Sequence, residues 1–281
     1  GAMLSGSDMW RSQILHETTC SGARLIVLSK ASSTQDVARE LASDGEQAWT
    51  AVMAREQTHG RGRLGHTWIS PPGKNLAISV ILRPSVPAAR APLLSMVAAV
   101  AVAEVLEVRG ISNVKLKWPN DVLVDNKKIA GILLEASIVR DRVCNVILGL
   151  GVNINSEEID FPHDFAIPPT SYRMSTGRAW ELEDAARTFL RELKSFYEVM
   201  EKQGFELIIP QWLARWAHKN QLVTYEGKIG IAIGVSEEGF LILQMLDGSS
   251  LTVVSGDVCL VGDAVFSPCG ERHVGKVERT Y

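Results

Sequence analysis

A short stretch rich in glycine and arginine is the first part of this sequence whose residue types could do chemistry. The segment 55–68 reads REQTHGRGRLGHTW and carries Arg61 and Arg63 among its glycines. Guanidinium groups form paired hydrogen bonds with phosphate or carboxylate oxygens, and glycines let a ligand approach the backbone closely. The pattern indicates an anion-binding loop, and a solvated basic turn is the alternative.

The same loop imitates a nucleotide phosphate loop, but its context argues against one. Residues 60–67 follow G-x-x-x-x-G-H-T, with His66 where that motif has lysine. A phosphate loop must lead into a helix, whereas this one runs into Trp68 and two prolines. Arginine-glycine contact with RNA is a weaker alternative, because the stretch is short and the protein is acidic. His59 and His66 lack neighbouring carboxylate or cysteine ligands for a metal.

Two further segments place polar residues at strand ends. The motif KWPND (117–121) closes one strand, and Lys128 opens another ahead of Gly131. A lysine beside a glycine-opened strand can deliver a point charge to a ligand that lies against bare backbone. The alternative is that Lys127 and Lys128 form the solvated arm of a hairpin. In GLGVN (149–153), two glycines and an asparagine end a strand, where a β-bulge is the alternative.

The hydrophobic pattern predicts the elements that must position these motifs. A strand over 24–28 precedes a helix that opens at Ser33, where Ser33 and Asp36 resemble a capping box. A glycine-punctuated loop is predicted over 55–75. Further strands are predicted over 49–54, 75–83, 114–118 and 142–155, with a hairpin over 122–138 that turns at Asp125-Asn126. Helices are predicted over 89–109 and, from an apolar stripe, over 182–200.

The character of the chain changes beyond Asn220. Short strand-like runs alternate there with turn residues, which is typical of a small barrel or sandwich. We therefore expect a mixed α/β domain over 9–218 and a compact all-β domain over 219–281. Residues 1–8 contain no signal-peptide pattern, and the opening Gly-Ala-Met resembles the remnant of a cleaved tag.

Composition limits the classes of partner. The chain has 281 residues and a net charge of −3, so its overall charge does not attract nucleic acid or an anionic membrane. The four cysteines form no CxxC pair, which favours a reducing, cytoplasmic location. The apolar run over 96–103 is shorter than the roughly 18 to 20 residues that span a bilayer, which predicts a buried helix and no membrane association.

Taken together, the motifs resemble those of the biotin protein ligase family. The segments GRGRLG with Trp68 downstream, KWPND, KIAGIL and GLGVN occur in that family's order and spacing, and the resemblance extends from about Arg24 to the C-terminus. It implies an α+β fold: a mixed-sheet catalytic domain similar to class II aminoacyl-tRNA synthetases, over 9–218, followed by an SH3-like barrel over 219–281.

The resemblance also implies roles for individual residues. Three sequence departures concern the loop and its surroundings: Thr58-His59 before the first glycine, Gln35 where asparagine is usual, and His66 where arginine or lysine is common. The implied biotin contacts are Ser33, Thr34, Gln57, Gly60, Arg61, Lys128, Gly131 and Gly149. The implied ATP contacts are Arg61, Arg63, Trp68 as the adenine-stacking aromatic, Asn120, Lys128 and Asn153. The implied catalytic residues are Lys128, Arg61, Arg63 and, for orienting the acceptor lysine, Asp121.

The chemistry implied by the resemblance has two steps. Biotin is first activated by ATP and Mg²⁺ as biotinyl-5′-AMP, because a free carboxylate is a poor acylating agent. Lys128, Arg61 and Arg63 supply positive charge where negative charge accumulates. A lysine of a biotin carboxyl carrier protein, with an ordinary pKa near ~10.4, then loses a proton and attacks the adenylate.

Two rival functions remain at this point. A lipoate or octanoate ligase shares the fold group, although acyl-thioester transferases of that group use a cysteine, and the four cysteines here lie outside the matched motifs. A biotin-sensing transcriptional regulator needs a DNA-binding domain. Only about 23 residues precede the first predicted strand, fewer than a helix-turn-helix domain requires, so we expect a ligase without DNA binding. A homodimer stays open, and no metal-ligating residues are assigned.

Overall fold

An eight-stranded mixed sheet forms the framework of this protein. The computed structural model describes residues 9–68, 71–162 and 167–261; the predicted tag remnant at 1–8, residues 262–281 of the predicted C-terminal domain, and Cys269 within them lie outside the described residues. The strands of the sheet are β1 (Ile14–Cys20), β2 (Ala23–Leu28), β3 (Thr50–Ala54), β4 (Leu76–Leu82), β5 (Val114–Lys117), β6 (Asp121–Val124), β7 (Lys127–Val139) and β8 (Arg142–Val152).

The strand order is β1-β2-β3-β4-β8-β7-β6-β5. Neighbouring strands pair antiparallel, except that β2 and β3 run parallel. A parallel pair needs a crossover connection, and the helix that begins after β2 supplies it. The predicted hairpin is confirmed: β6 and β7 meet at Asp125 and Asn126, which both have the positive φ of a two-residue hairpin turn.

The strand β1 corrects the sequence analysis, which placed the first strand at 24–28. β1 lies at the sheet edge and pairs with β2 across the turn Ser21-Gly22, where both residues have positive φ. Its side chains are exposed or half-buried throughout. A strand without a buried face has no alternating hydrophobic pattern, which explains why the pattern did not predict it.

The described residues form five α-helices: α1 (Thr34–Ser43), α2 (Leu93–Val108), α3 (Tyr172–Thr176), α4 (Leu182–Gln203) and α5 (Ile209–Ala214). Of these, α1, α2 and α4 pack against the eight-stranded sheet. The stretch 88–108, which includes α2, is long and apolar enough to cross a membrane, but 78% of its most apolar window is buried inside the protein. That burial matches the core helix predicted from the sequence. The apolar stripe of α4 packs on the same core.

Helix α1 begins as the sequence predicts. The Ser33 side chain accepts a hydrogen bond from the Gln35 backbone N–H at 3.2 Å, which caps the helix. The second half of the predicted capping box is not seen among the described contacts, because the Asp36 carboxylate instead pairs with Arg61 at 2.9 Å. The helix N-terminus therefore faces the arginine-glycine loop.

A second, five-stranded antiparallel sheet follows α5. Its strands are β9 (Leu222–Tyr225), β10 (Lys228–Val235), β11 (Leu241–Met245), β12 (Ser250–Val253) and β13 (Cys259–Leu260), in the order β12-β11-β10-β9-β13. This confirms the β-rich C-terminal domain. The Trp118 indole N–H donates to the Gly239 carbonyl at 2.9 Å, which joins this sheet to the KWPND segment.

Candidate active site

The motifs from the sequence converge on one cavity of about 390 Å³. It is bounded by the start of α1, the arginine-glycine loop, the strands β4, β6, β7 and β8, and the C-terminal sheet. The predicted site residues that line it are Ser33, Thr34, Gln57, Arg61, Arg63, Trp68, Asn120, Asp121, Lys128, Gly131 and Gly149.

Two predicted site residues do not line this cavity. A side chain at Gly60 would place its Cβ 2.6 Å from the Trp68 carbonyl oxygen, so glycine lets the two ends of the loop approach each other. Asn153 is buried, and its amide donates to the Thr170 carbonyl at 3.0 Å and accepts from Asn75 at 3.2 Å. Its predicted nucleotide contact therefore has no direct support in the geometry and stays a prediction.

One wall of the cavity is a chain of polar side chains. The Thr34 backbone N–H donates to Gln57 Oε1 at 2.9 Å, and the Thr34 and Ser79 hydroxyls lie 2.8 Å apart. Ser79 in turn donates to Gln35 Oε1 at 2.6 Å. Ser79 and Gln35 are cavity residues that the sequence analysis did not assign. A serine in the middle of the apolar strand β4 is a signal that could have revealed the first of them.

Both loop arginines are already paired with carboxylates. Arg61 Nη2 lies 2.9 Å from Asp36 and 3.1 Å from Glu135. Arg63 is buried, and its guanidinium donates to the Gly256 carbonyl at 3.2 Å. Burial lowers the pKa of Arg63, against the attraction of nearby carboxylates. Ion pairs therefore hold the loop at Arg61 and, through Asp257 at 3.8 Å, at Arg63, and an anionic ligand would have to compete with them.

A lysine and an aspartate meet on the opposite side. Lys128 Nζ lies 3.0 Å from the Asp121 carboxylate. Burial opposes ionisation of Asp121, but the attraction of Lys128 and Lys117 outweighs it and keeps the pKa of Asp121 below its usual value. Burial lowers the pKa of the Lys117 ammonium. The cavity thus concentrates positive charge around one carboxylate, as an anion site requires.

The Trp68 indole lies against bare backbone at the centre of the cavity. A Cβ added at Gly151 would be 2.5 Å from the indole, and one added at Gly131 would be 3.1 Å from it. Lys128 Nζ lies 5.4 Å from the ring centroid. A Cβ at Gly149 would instead be 2.5 Å from Gln35 Oε1. The glycines of the β7 and β8 motifs therefore make room for side chains, and Gly151 joins those predicted from the sequence.

The C-terminal sheet contributes to the cavity lining, although the sequence analysis assigned no site residue there. Asp257 and Cys259 line the cavity, and Asp257 lies 3.8 Å from Arg63 and 3.4 Å from His66. About 190 residues separate the two partners of these pairs along the chain. Only the fold brings them together, so no local motif could indicate the contact.

The pair His66–Asp257 predicts a pH dependence. The hydrogen bond to Asp257 raises the pKa of His66 above its usual value, with burial opposing this rise. The stabilisation is complete below the unfolded-state pKa near ~6.5 and is lost as the pH rises through the higher folded-state value. We expect His66→Ala to lower Tm at pH 6 and to have a smaller effect at pH 9. Thermal melts of both proteins at the two values check this, and equal shifts would contradict it.

The described residues hold no group of three or more histidine, cysteine or acidic side chains that could bind a metal. Single carboxylates, Asp121 and Asp257, line the cavity. Mg²⁺ is commonly bound through one or two carboxylates and the phosphates of its nucleotide, and these carboxylates fit that kind of site.

Comparison with known proteins agrees with this geometry. Residues 27–153 match the family described as "Biotin/lipoate A/B protein ligase family", and residues 222–261 match "Biotin protein ligase C terminal domain". The bifunctional ligase/repressor BirA of Bacillus spizizenii is 35% identical over 83% of this chain and 73% of its own length.

Two further proteins are similar to this chain over most of the length of both chains. The biotin–[acetyl-CoA-carboxylase] ligase of Paracoccus denitrificans is 35% identical over 78% of this chain and 93% of its own. The biotin protein ligase of Aquifex aeolicus, solved in complex with biotin and ATP, is 28% identical with a TM-score of 0.70, over 84% and 97% of the two chains. By fold, motif order and sequence identity, this chain is a member of the biotin protein ligase family.

Proposed function

We propose that this protein is an ATP-dependent biotin protein ligase, with the 9–218 domain as its catalytic part. The observation that carries the proposal is the cavity itself. A polar wall around Thr34 and Gln57 faces a cationic side that contains Lys128 and Arg63, with the Trp68 ring beside them. A ligand with a polar ring, an apolar body and a terminal carboxylate fits such a cavity, and a nucleotide fits beside its charged end.

The first step joins biotin to AMP. A biotin carboxylate oxygen attacks the α-phosphorus of ATP, the bond to the β-phosphate breaks, and pyrophosphate leaves. Negative charge grows on the α-phosphate oxygens, so cations placed there stabilise the transition state more than the ground state. Lys128, Arg63 and Arg61 line the cavity where they can do this. Asp121 or Asp257 would provide a protein oxygen for a Mg²⁺ ion that binds together with ATP, and such an ion would supply further charge neutralisation.

The second step transfers biotin to a lysine of a biotin carboxyl carrier protein. The acceptor amine must lose its proton before it attacks the mixed anhydride, and AMP then leaves. The low pKa of Asp121 makes this carboxylate a weak base. It is therefore suited to orienting the acceptor ammonium, whereas Lys117, buried beside it with a lowered pKa, adds positive charge to the same side.

The proposal predicts that biotin and MgATP together yield biotinyl-5′-AMP that stays bound to the protein. The loop around Arg61 and Arg63 lines the cavity, and closure of this loop over the product would protect the anhydride from water. Mass spectrometry after incubation should detect the adenylate, and pyrophosphate release should require biotin.

Lipoate and octanoate provide the controls for substrate class. Neither has a cyclic urea to match the polar wall, so both should support at least tenfold less pyrophosphate release than biotin. A preference for lipoate, or no adenylate with any of the three acids, would contradict the proposed function.

A further inference from the structure

The carboxylate of Glu135 lies behind the polar wall and contacts it through one side chain. Glu135 Oε1 accepts from Gln35 Nε2 at 2.9 Å and from Arg61 Nη2 at 3.1 Å. Glu135 Oε2 accepts from Arg39 Nη2 at 2.7 Å. An ionised carboxylate only accepts hydrogen bonds, and the Glu135 carboxylate is paired with the guanidinium groups of Arg39 and Arg61. Glu135 therefore requires that its contact in Gln35 be the amide NH₂.

This requirement fixes the orientation of the Gln35 amide. Gln35 Nε2 also faces the Ile147 carbonyl at 3.5 Å, so both of its neighbours are acceptors. Gln35 Oε1 must then face Ser79, and the 2.6 Å contact between them is a hydrogen bond that the Ser79 hydroxyl donates. Gln35 is buried, and both ends of its amide make these contacts within the protein.

The donor-to-acceptor direction of the hydrogen bonds is fixed between Ser79 and Thr34 as well. The single hydroxyl proton of Ser79 is used on Gln35, so at 2.8 Å the Thr34 hydroxyl must be the donor and Ser79 the acceptor. Thr34 then has no proton left for Gln57 Oε1, which lies 3.3 Å from its hydroxyl. Gln57 Oε1 accepts instead from the Thr34 backbone N–H at 2.9 Å, which fixes the second amide as well.

The cavity consequently presents one acceptor and one donor of fixed type. The lone pairs of the Thr34 hydroxyl are the acceptor. The Gln57 NH₂ group is the donor, since it has no protein acceptor within residues 9–68, 71–162 and 167–261. A group with an N–H beside a C=O, as in a cyclic urea, matches this pair. A hydroxyl chain that ran the other way would place an O–H against the ligand's N–H.

We infer that Glu135 is a positioning residue for ring recognition, which sets the direction of the hydrogen-bond chain Gln35–Ser79–Thr34 without touching the ligand. This inference rests on the proposed function and deepens it. According to this inference, the specificity for a cyclic urea depends on the Glu135 carboxylate, which lies outside the cavity lining. Gln35, which departs from the asparagine usual in the family, is the side chain through which that charge acts.

A double-mutant cycle tests the inference. Glu135→Gln can offer an NH₂ group to Gln35, so the direction of the chain is no longer fixed. We expect calorimetry to show biotin binding weakened by about tenfold, with KM for biotin raised, and kcat and KM for ATP within about threefold of the wild type. In a Ser79→Ala background the chain is already broken, so Glu135→Gln should then cost less than about twofold.

Asp36→Asn is the matched control, since it removes the other carboxylate from Arg61 but makes no contact with Gln35. Its effect should add to that of Ser79→Ala. Additive effects of Glu135→Gln and Ser79→Ala, or unchanged biotin affinity in Glu135→Gln, would overturn the inference while leaving the ligase activity intact. Failure of the wild type to bind biotin at all would overturn the proposed function and the inference together.

Discussion

Lys128→Ala is expected to slow adenylate formation by about 10²–10³-fold, the cost of removing one preorganised group that meets developing charge. Substrate affinity should fall much less. Negative charge on the α-phosphate oxygens is larger in the transition state than in bound ATP, so a cation placed beside them contributes more to the transition state than to the bound ground state. Single-turnover measurement of adenylate formation, at saturating biotin and ATP, gives the rate directly.

The ion-pair partner of Lys128 adds a pH dependence to this prediction. Its ammonium is 3.0 Å from the Asp121 carboxylate, so in Lys128→Ala that half-buried carboxylate loses its ion-pair partner. The pKa of Asp121 should then rise, because burial opposes ionisation and the opposing attraction is weaker. Part of the rate loss would therefore become pH-dependent. A displacement of the mutant's pH–rate profile to higher pH, relative to the wild type, would reveal this component.

Two other lysine variants show whether position or mere charge matters. Lys127 is the exposed neighbour in β7, and Lys127→Ala should stay within a few-fold of the wild type. Lys128→Arg should recover only part of the rate, because a planar guanidinium cannot replace a compact ammonium held close to Gly131. A wild-type rate in Lys128→Ala, or an equal loss in Lys127→Ala, would contradict the assignment.

Most of the fold could be predicted from the sequence because its central strands are buried. The apolar runs that form β3, β4 and the second half of β8 are buried on both faces, so hydrophobicity alone predicts them. The edge strand β1 has no such cover and was missed. The glycine-punctuated loop and the hairpin turn were predictable for a different reason: their backbone conformations favour particular residue types at particular positions.

Site residues could be predicted from the sequence where they belong to contiguous motifs. Site residues that are brought together only by long-range packing could not. The motifs placed Lys128, Arg63 and Trp68 at one cavity. Glu135 and Asp257 carry no local pattern, since each acts on a residue far away in the chain. Asn153 shows the opposite case: a motif residue whose side chain is occupied in holding backbone segments together. A polar residue inside a buried strand, such as Ser79, indicates a site residue even where no motif surrounds it.

Trp68→Ala separates the two explanations that remain for the central aromatic ring. If the indole stacks on adenine, its loss should weaken ATP binding by roughly 5- to 150-fold, since stacking of a base on an aromatic side chain contributes ~1–3 kcal/mol. If the indole only fills space against Gly131 and Gly151, its loss should cost about 3–5 kcal/mol of stability. That would lower Tm by roughly 6–20 °C for a chain of this size.

The structure favours the first explanation, in which the Trp68 ring faces a ligand. Trp68 lines the cavity, and its indole N–H is buried without a hydrogen-bond partner among the described residues. If the ring only filled space, this unpaired donor would destabilise the folded protein. Calorimetric titration with ATP, alongside a thermal melt, should therefore show a large loss of affinity with a small change in Tm. Trp68→Phe keeps an aromatic face and should recover most of the affinity. An unchanged ATP affinity with a lowered Tm would assign the ring to the core and leave adenine without its predicted partner.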